Sequence, residues 1–295
     1  GPLVDGSDRA DNFADSGGAN HWVMNDLQAS PTPTLRLLSS SCLGGATHMA
    51  IDVLLLEQRV PALRLYSWQR PTLSLGFHQR RIEPHWQGLA AAGIVDLVRR
   101  PSGGRAVLHA GELTYALVWP DPSLSRLQAY SRACAWLVDC FATLGLPLQA
   151  GRQAVSTQPS SCFATSTAAD LVHACGAKRI GSAQLWRSGC LLQHGSILLD
   201  PPADLWQLVF GNPPPRLPAL PIDRAELELR LIKSAQACLP VAAAGCRISP
   251  LSDEEWERIT ATEASYRLVV AGSSSLASPE ATMERTTWDR ARPSG

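Results

Sequence analysis

At 295 residues, with 45% hydrophobic and 18% charged side chains, the chain is long and apolar enough to bury a sizeable core in one large domain or two small ones. Its formal net charge of +0 excludes a general electrostatic attraction to nucleic acid or to an anionic membrane. No apolar run approaches the ~20 residues that a membrane-spanning helix needs.

Residues 1–34 are polar and Gly/Ser/Pro/Asp-rich without a period, which predicts a disordered leader. The spacing of Met49, Val53, Leu54 and Leu56 predicts an amphipathic helix over Gly44 to Val60. Strands are expected over Leu63–Trp68 and Thr72–Gly76, parted by a turn at Arg70-Pro71, then a helix near Trp86 to Ala92. Ile94–Arg99, Arg105–His109 and Leu113–Trp119 read as further strands. A longer helix fits Leu124 to Leu144, stopped by Gly145 and Pro147. A strand meander is expected over 169–174, Arg179–Trp186 and Leu191–Leu199, with turns at Gly176 and Ser188-Gly189. Helices near Arg224–Ala237 and Asp253–Tyr266 and a polar tail from Ala271 complete the chain. Hairpins mixed among irregularly alternating helices fit a layered α+β domain better than a doubly wound parallel sheet. The expected division is leader 1–34, catalytic domain 35–240, and helical extension with polar tail 241–295.

Four segments carry candidate chemistry. In Arg99-Arg100-Pro101-Ser102-Gly103-Gly104-Arg105, the paired glycines let backbone N–H groups approach a ligand, and the flanking arginines add positive charge. A plain hairpin turn is the bland alternative. Eight cysteines stand singly, with no CxxC pair, so no zinc site is expected and free thiols suit a reducing, cytoplasmic setting. Cys162, after a Ser/Thr/Gln loop, is a candidate nucleophile if a cation lowers its pKa, although free cysteines mostly pack in cores. Only two of the 26 basic residues are lysines, and Lys178 lies in the small-residue run Gly176-Ala177-Lys178-Arg179-Ile180-Gly181-Ser182-Ala183-Gln184. A lysine there can stabilise an oxyanion, hold a carboxylate or assist proton transfer. Gln193-His194-Gly195-Ser196, a polar run in an apolar strand, is costly to bury without partners.

Together these segments resemble the lipoate ligase and octanoyltransferase superfamily. The Met49-Ala50-Ile51-Asp52 helix, Arg64-Leu65-Tyr66-Ser67-Trp68, Pro71-Thr72-Leu73-Ser74-Leu75-Gly76, Gln79, the glycine loop with its histidine, and Leu113-Thr114-Tyr115 appear in that superfamily's order. The lysine and Leu192-Gln193-His194-Gly195-Ser196 signatures complete the series. The resemblance implies an α+β catalytic domain of the biotin–lipoate ligase type (class II synthetase-like), with a mixed sheet flanked by helices. It implies transfer of an octanoyl or lipoyl group to a lysine of an apo lipoyl domain, such as a glycine-cleavage H protein or a 2-oxoacid dehydrogenase E2, with acyl carrier protein as donor. Cys162, sixteen positions before Lys178, matches the acyl-carrying cysteine of one octanoyltransferase branch; Cys190, after the lysine, does not have the setting used by the other. Catalytic roles thus fall to Cys162 and Lys178. Arg100, Ser102, Gly103, Gly104, Arg105 and His109 on one segment, and Gly181, Ser182, Ala183, Gln193 and His194 on the others, would bind substrate. Ala110 stands where many relatives place Asp, and the last ~90 residues do not resemble the accessory domain of lipoate ligases. The transferase reading requires neither metal nor organic cofactor; the alternative, an ATP-dependent lipoate–protein ligase, would use ATP and Mg²⁺.

Overall fold

A computed structural model describes residues 33–151 and 170–270. In chain order these form β1 (Leu35–Leu43), α1 (Gly45–Gln58), β2 (Ala62–Trp68), β3 (Thr72–Leu75), α2 (Pro84–Ala91), β4 (Asp96–Arg99), β5 (Val107–His109) and β6 (Glu112–Pro120). They continue with α3 (Arg126–Thr143), β7 (Leu148–Ala150), β8 (Leu171–His173), β9 (Lys178–Arg187), β10 (Cys190–Leu198), α4 (Ala203–Phe210), α5 (Arg224–Cys238), β11 (Cys246–Ile248) and α6 (Asp253–Thr262). The main sheet has the order β11-β1-β2-β6-β10-β9-β8-β7, and β4-β3-β5 form a smaller one. Both sheets mix parallel and antiparallel pairs, which is the mixed α+β arrangement expected.

Strand alternation decides what each face of the main sheet meets. Tyr115 and Leu117 of β6, with Leu191 and Ile197 of β10, pack with α3 and α5. Ala116 and Val118, with Leu192, turn to the opposite face and pack with α1 and α6. α3 begins with a capping box between Ser125 and Gln128 and buries Ala129, Ala133, Trp136, Leu137, Cys140 and Phe141, one stripe at helical spacing. α1 differs, because nearly all its residues through Leu56 are buried. The sheet covers one side of it, while α6 and the turn Glu263–Tyr266 cover the other.

β1 is an element without a local signal in the sequence. Its Ser39-Ser40-Ser41 run looks like a loop, and a register shift falls between Leu38 and Ser41 where it pairs with β2. Its two neighbours, β2 and β11, run parallel to it, so only long-range pairing reveals it. The segment from residue 241, expected as a helical extension, contributes β11 to the main sheet, and Ile259 of α6 is buried in the core against α1. Arg36 of β1 fastens α6 through a two-pronged contact with Glu255 at 2.7 and 2.8 Å. The Ser188-Gly189 turn between β9 and β10 has φ of 47° and 78°, the left-handed pair a tight hairpin needs.

Candidate functional site

On the α1 face of the main sheet, β6, β9 and β10 meet the glycine loop that follows β4, leaving a cavity of about 270 Å³. Arg100, Gly103, Gly104, Arg105 and His109 of the loop and β5 line one side. Lys178, Gly181, Ser182 and Ala183 of β9 and His194 of β10 line the other. Met49, Tyr66, Trp68, Thr114 and Asp170 also reach it; the first four lie within the motifs carrying the family resemblance. Gly104 has φ of 101°, which favours glycine, whereas a Cβ on Gly103 would meet nothing within 4 Å. The loop is pressed against the end of β3, where a Cβ on Gly76 would collide with the Gly104 carbonyl oxygen.

Two predicted residues are placed elsewhere. Gln193 precedes His194 in a strand and therefore points to the opposite face, where its amide donates to the Tyr115 hydroxyl at 2.8 Å. Ser102 is fully buried behind the cavity wall and hydrogen-bonds His194 Nε2.

The polar run in β10 satisfies itself through the neighbouring elements. Asp52 of α1 is fully buried and accepts from Arg64 Nε at 3.0 Å, the Tyr66 hydroxyl at 2.8 Å and His194 Nδ1 at 3.0 Å. Burial alone would raise this carboxyl, but the Arg64 guanidinium, His194 and Tyr66 together hold it below its ordinary value. An ionised carboxylate only accepts, so His194 Nδ1–H donates to it, while Nε2 hydrogen-bonds the Ser102 hydroxyl. The result is a buried Ser102–His194–Asp52 chain beneath the cavity. Ser196 donates to Glu112 at 2.6 Å, and Thr114 donates to the same carboxylate.

His109 is set by a second chain. Arg100 donates to Ser74 Oγ at 2.8 Å, which directs the Ser74 proton to His109 Nε2 at 2.7 Å. The ring stacks on Trp68 with centroids 3.8 Å apart. Its Nδ1–H faces Glu112 at 3.6 Å and has no hydrogen-bond partner among the described residues. Burial holds His109 below the ordinary histidine value, so it is a neutral ring at the cavity wall.

Lys178 opens β9 with its ammonium 3.0 Å from the Asp170 carboxylate, both side chains being buried. Gly151 donates to the Asp170 carbonyl at 2.7 Å, so the two ends of the segment 152–169 are joined beside this ion pair. Cys162 lies outside the described residues. Cys134 and Cys140 are each pushed up to about 11 by burial, and burial also raises Cys190, which lies in the core. These three are poor thiolate candidates. Among the described residues no group of three or more His, Cys, Asp or Glu side chains is arranged to hold a metal ion, and no helix is long and apolar enough to cross a membrane.

Residues 45–216 match the family model of the lipoyl protein ligase A/B catalytic domain. The chain belongs to this family. Within the lipoyl protein ligase A/B family, one curated relative is the octanoyltransferase LipM of Carboxydothermus hydrogenoformans. It is 38% identical over 182 residues, which span 58% of this chain and 67% of the relative. The octanoyltransferase LipM of Kyrpidia tusciae is 40% identical over 184 residues, spanning 57% of this chain and 66% of its own length. The fold is shared with a T. acidophilum protein described as a candidate lipoate protein ligase and solved with bound lipoic acid. That likeness has a TM-score of 0.64 at 20% identity and covers 77% of this chain and 93% of the other.

Proposed function

We propose that this member of the lipoyl protein ligase A/B family moves an octanoyl group from acyl carrier protein to the lysine of a lipoyl carrier domain, with Cys162 carrying the group between them. The observation that carries the reading is Lys178. One of only two lysines in the chain is buried at the wall of the cavity, paired with Asp170 at the point where the segment holding Cys162 rejoins the sheet. Asp170 lies eight positions after Cys162, a span of at most about 29 Å fully extended, so the chain length lets the sulfur reach the ammonium.

In the first step the Cys162 thiolate attacks the donor's thioester carbonyl. A new C–S bond forms, the old one breaks, and the carrier sulfur leaves as a thiolate that takes up the proton Cys162 gave up on ionising. The Lys178 ammonium favours the thiolate and the oxyanion that follows it, while the glycine loop and Gly181–Ala183 bring backbone donors to the carbonyl end. In the second step the neutral amine of the carrier lysine attacks the Cys162 thioester. The amide forms, the C–S bond breaks, and one amine proton passes to the departing sulfur, which restores the Cys162 thiol. A thioester exchange followed by aminolysis of a thioester starts from an already activated acyl group and needs no ATP.

Intact-protein mass spectrometry tests this directly. The protein is mixed with octanoyl-acyl carrier protein without ATP, and apo lipoyl domain is added second. An octanoyl adduct is expected on the wild type, absent from Cys162→Ala, and chased onto the lipoyl domain. No adduct, with modification only by free lipoate and Mg-ATP, would overturn the thioester mechanism in favour of a ligase.

A further inference from the structure

The turn beside the glycine loop carries a charge that its surroundings among the described residues do not neutralise. Residues 77–99 hold three arginines, Arg80, Arg81 and Arg99, against Glu83 and Asp96, in a chain whose formal net charge is +0. Neither acid serves the centre of this cluster, because Asp96 pairs with Arg70 at 3.3 Å and Glu83 with Arg81 at 3.7 Å. Arg80 is exposed, its guanidinium 5.6 Å from the centre of the Phe77 ring, itself 44% exposed. Arg99 donates to the carbonyls of Gly76 and Gln79 at 3.0 and 2.6 Å, which brings its charge to the same turn. Burial, and after it the nearness of Arg80, lowers Arg99 from its ordinary value. Among the described residues neither Arg80 nor Arg99 has a carboxylate partner within 4 Å.

The position of this patch gives it meaning. Phe77 N–H donates to the Ser102 carbonyl at 2.9 Å, so the turn is strapped to the loop whose next residues wall the cavity. An acyl group can enter that cavity only if the body carrying it comes to rest within an arm's length of the wall. A molecule with no net charge has no long-range attraction to offer, so local complementarity must orient the encounter.

We propose that Phe77, Arg80, Arg81 and Arg99 form the docking surface for the carrier protein that delivers the acyl thioester, and that they recognise a carboxylate-rich face of it. This rests on the transferase reading above. Exposed arginine and aromatic side chains together are the residue types that anchor protein interfaces, and the unneutralised pair of guanidiniums fixes the partner's sign. The cavity would then select the acyl chain while the surface selects what brings it.

The test compares three octanoyl donors at several ionic strengths: octanoyl-acyl carrier protein, octanoyl-coenzyme A, and the uncharged octanoyl-N-acetylcysteamine. In Arg80→Glu/Arg81→Glu, KM for the carrier-bound donor is expected to rise about tenfold, with a weaker salt dependence, while kcat/KM for the uncharged thioester stays within about twofold. Arg80→Lys/Arg81→Lys is expected to restore most of the carrier KM. An unchanged carrier KM would overturn the proposal, as would an equal loss with all three donors. A loss with octanoyl-coenzyme A as large as with the carrier would mean that the patch reads phosphate, and the protein-surface proposal falls. If the wild type accepts no donor at all, the transferase reading fails instead. Calorimetric titration with the unacylated carrier then still decides whether this face binds it, and absence of charge-dependent binding sinks the docking surface separately.

Discussion

Asp52→Asn is the substitution that loads the most consequence onto one side chain. The carboxylate is fully buried and is the common acceptor for Arg64, Tyr66 and His194. An amide offers one oxygen where the carboxylate offered two, and its NH₂ group would point at a donor. Arg64, with a side chain 2% exposed, would lose its only carboxylate among the described residues, keeping neutral contacts with His48. Leaving one member of a buried ion pair alone costs about 3–5 kcal/mol, and in a domain of this size that lowers Tm by about 10 °C. Differential scanning calorimetry reads the shift. Tyr66→Phe removes one hydrogen bond and leaves the charges paired, so it should cost only about 1 kcal/mol. The double variant Asp52→Asn/Arg64→Met should recover at least about 1 kcal/mol over the single one, since much of the penalty is the orphaned guanidinium. If Asp52→Asn melts within a degree or two of wild type, or the double variant is worse than the sum of its parts, the carboxylate is not what holds this network together.

Two further outcomes follow from the same structure. Glu255 is held down to about 2, chiefly by the Arg36 guanidinium. A depressed carboxyl contributes its stability above its unfolded value of about 4.5 and loses it as pH falls through about 2. The advantage of wild type over Glu255→Gln, about 2 kcal/mol at neutral pH, should therefore shrink steadily between pH 4.5 and 2; urea unfolding across that window checks it, and a gap that widens with acid would reverse the argument. Gly76→Ala drives a Cβ into the Gly104 carbonyl and should cost about 1–3 kcal/mol and raise KM for the acyl donor. Gly103→Ala, whose Cβ enters open space, is the matched control and should leave the melting temperature unchanged.

Legibility in the sequence divides along the distance between partners. Lys178, His194 and the glycine loop could be singled out because their signals are local: a rare lysine among small residues, a polar run in an apolar strand, adjacent glycines between arginines. The side chains that give those residues their states come from far away in the chain. Asp52 sits 142 positions from His194, and Ser102 sits 92 from it; nothing near any of them announces the pairing, although the Met49–Asp52 motif marked the helix itself. Asp170 had no local signal, and Glu112 has a meaning only once Thr114, Ser196 and His109 surround it. β1 was hidden for the same reason, because its three-serine run breaks the alternation and its partners are β2 and β11.

The placement of Gln193, by contrast, was within reach of the sequence. A strand cannot turn Gln193 and His194 to the same face, and the four-residue polar run therefore splits into two pairs. His194 and Ser196 share one parity, and the register sets Ser196 opposite Thr114 and Gly181. Those residues line the cavity. Gln193 and Gly195 share the other parity: one bonds Tyr115, and at the second a Cβ would strike the Tyr115 ring and the Ser182 hydroxyl. The Gln-His-Gly-Ser signature is thus two constraints interleaved, one polar pair facing the cavity and one pair keeping β6, β9 and β10 close enough for the backbone of Gly181 to Ala183 to form the cavity wall.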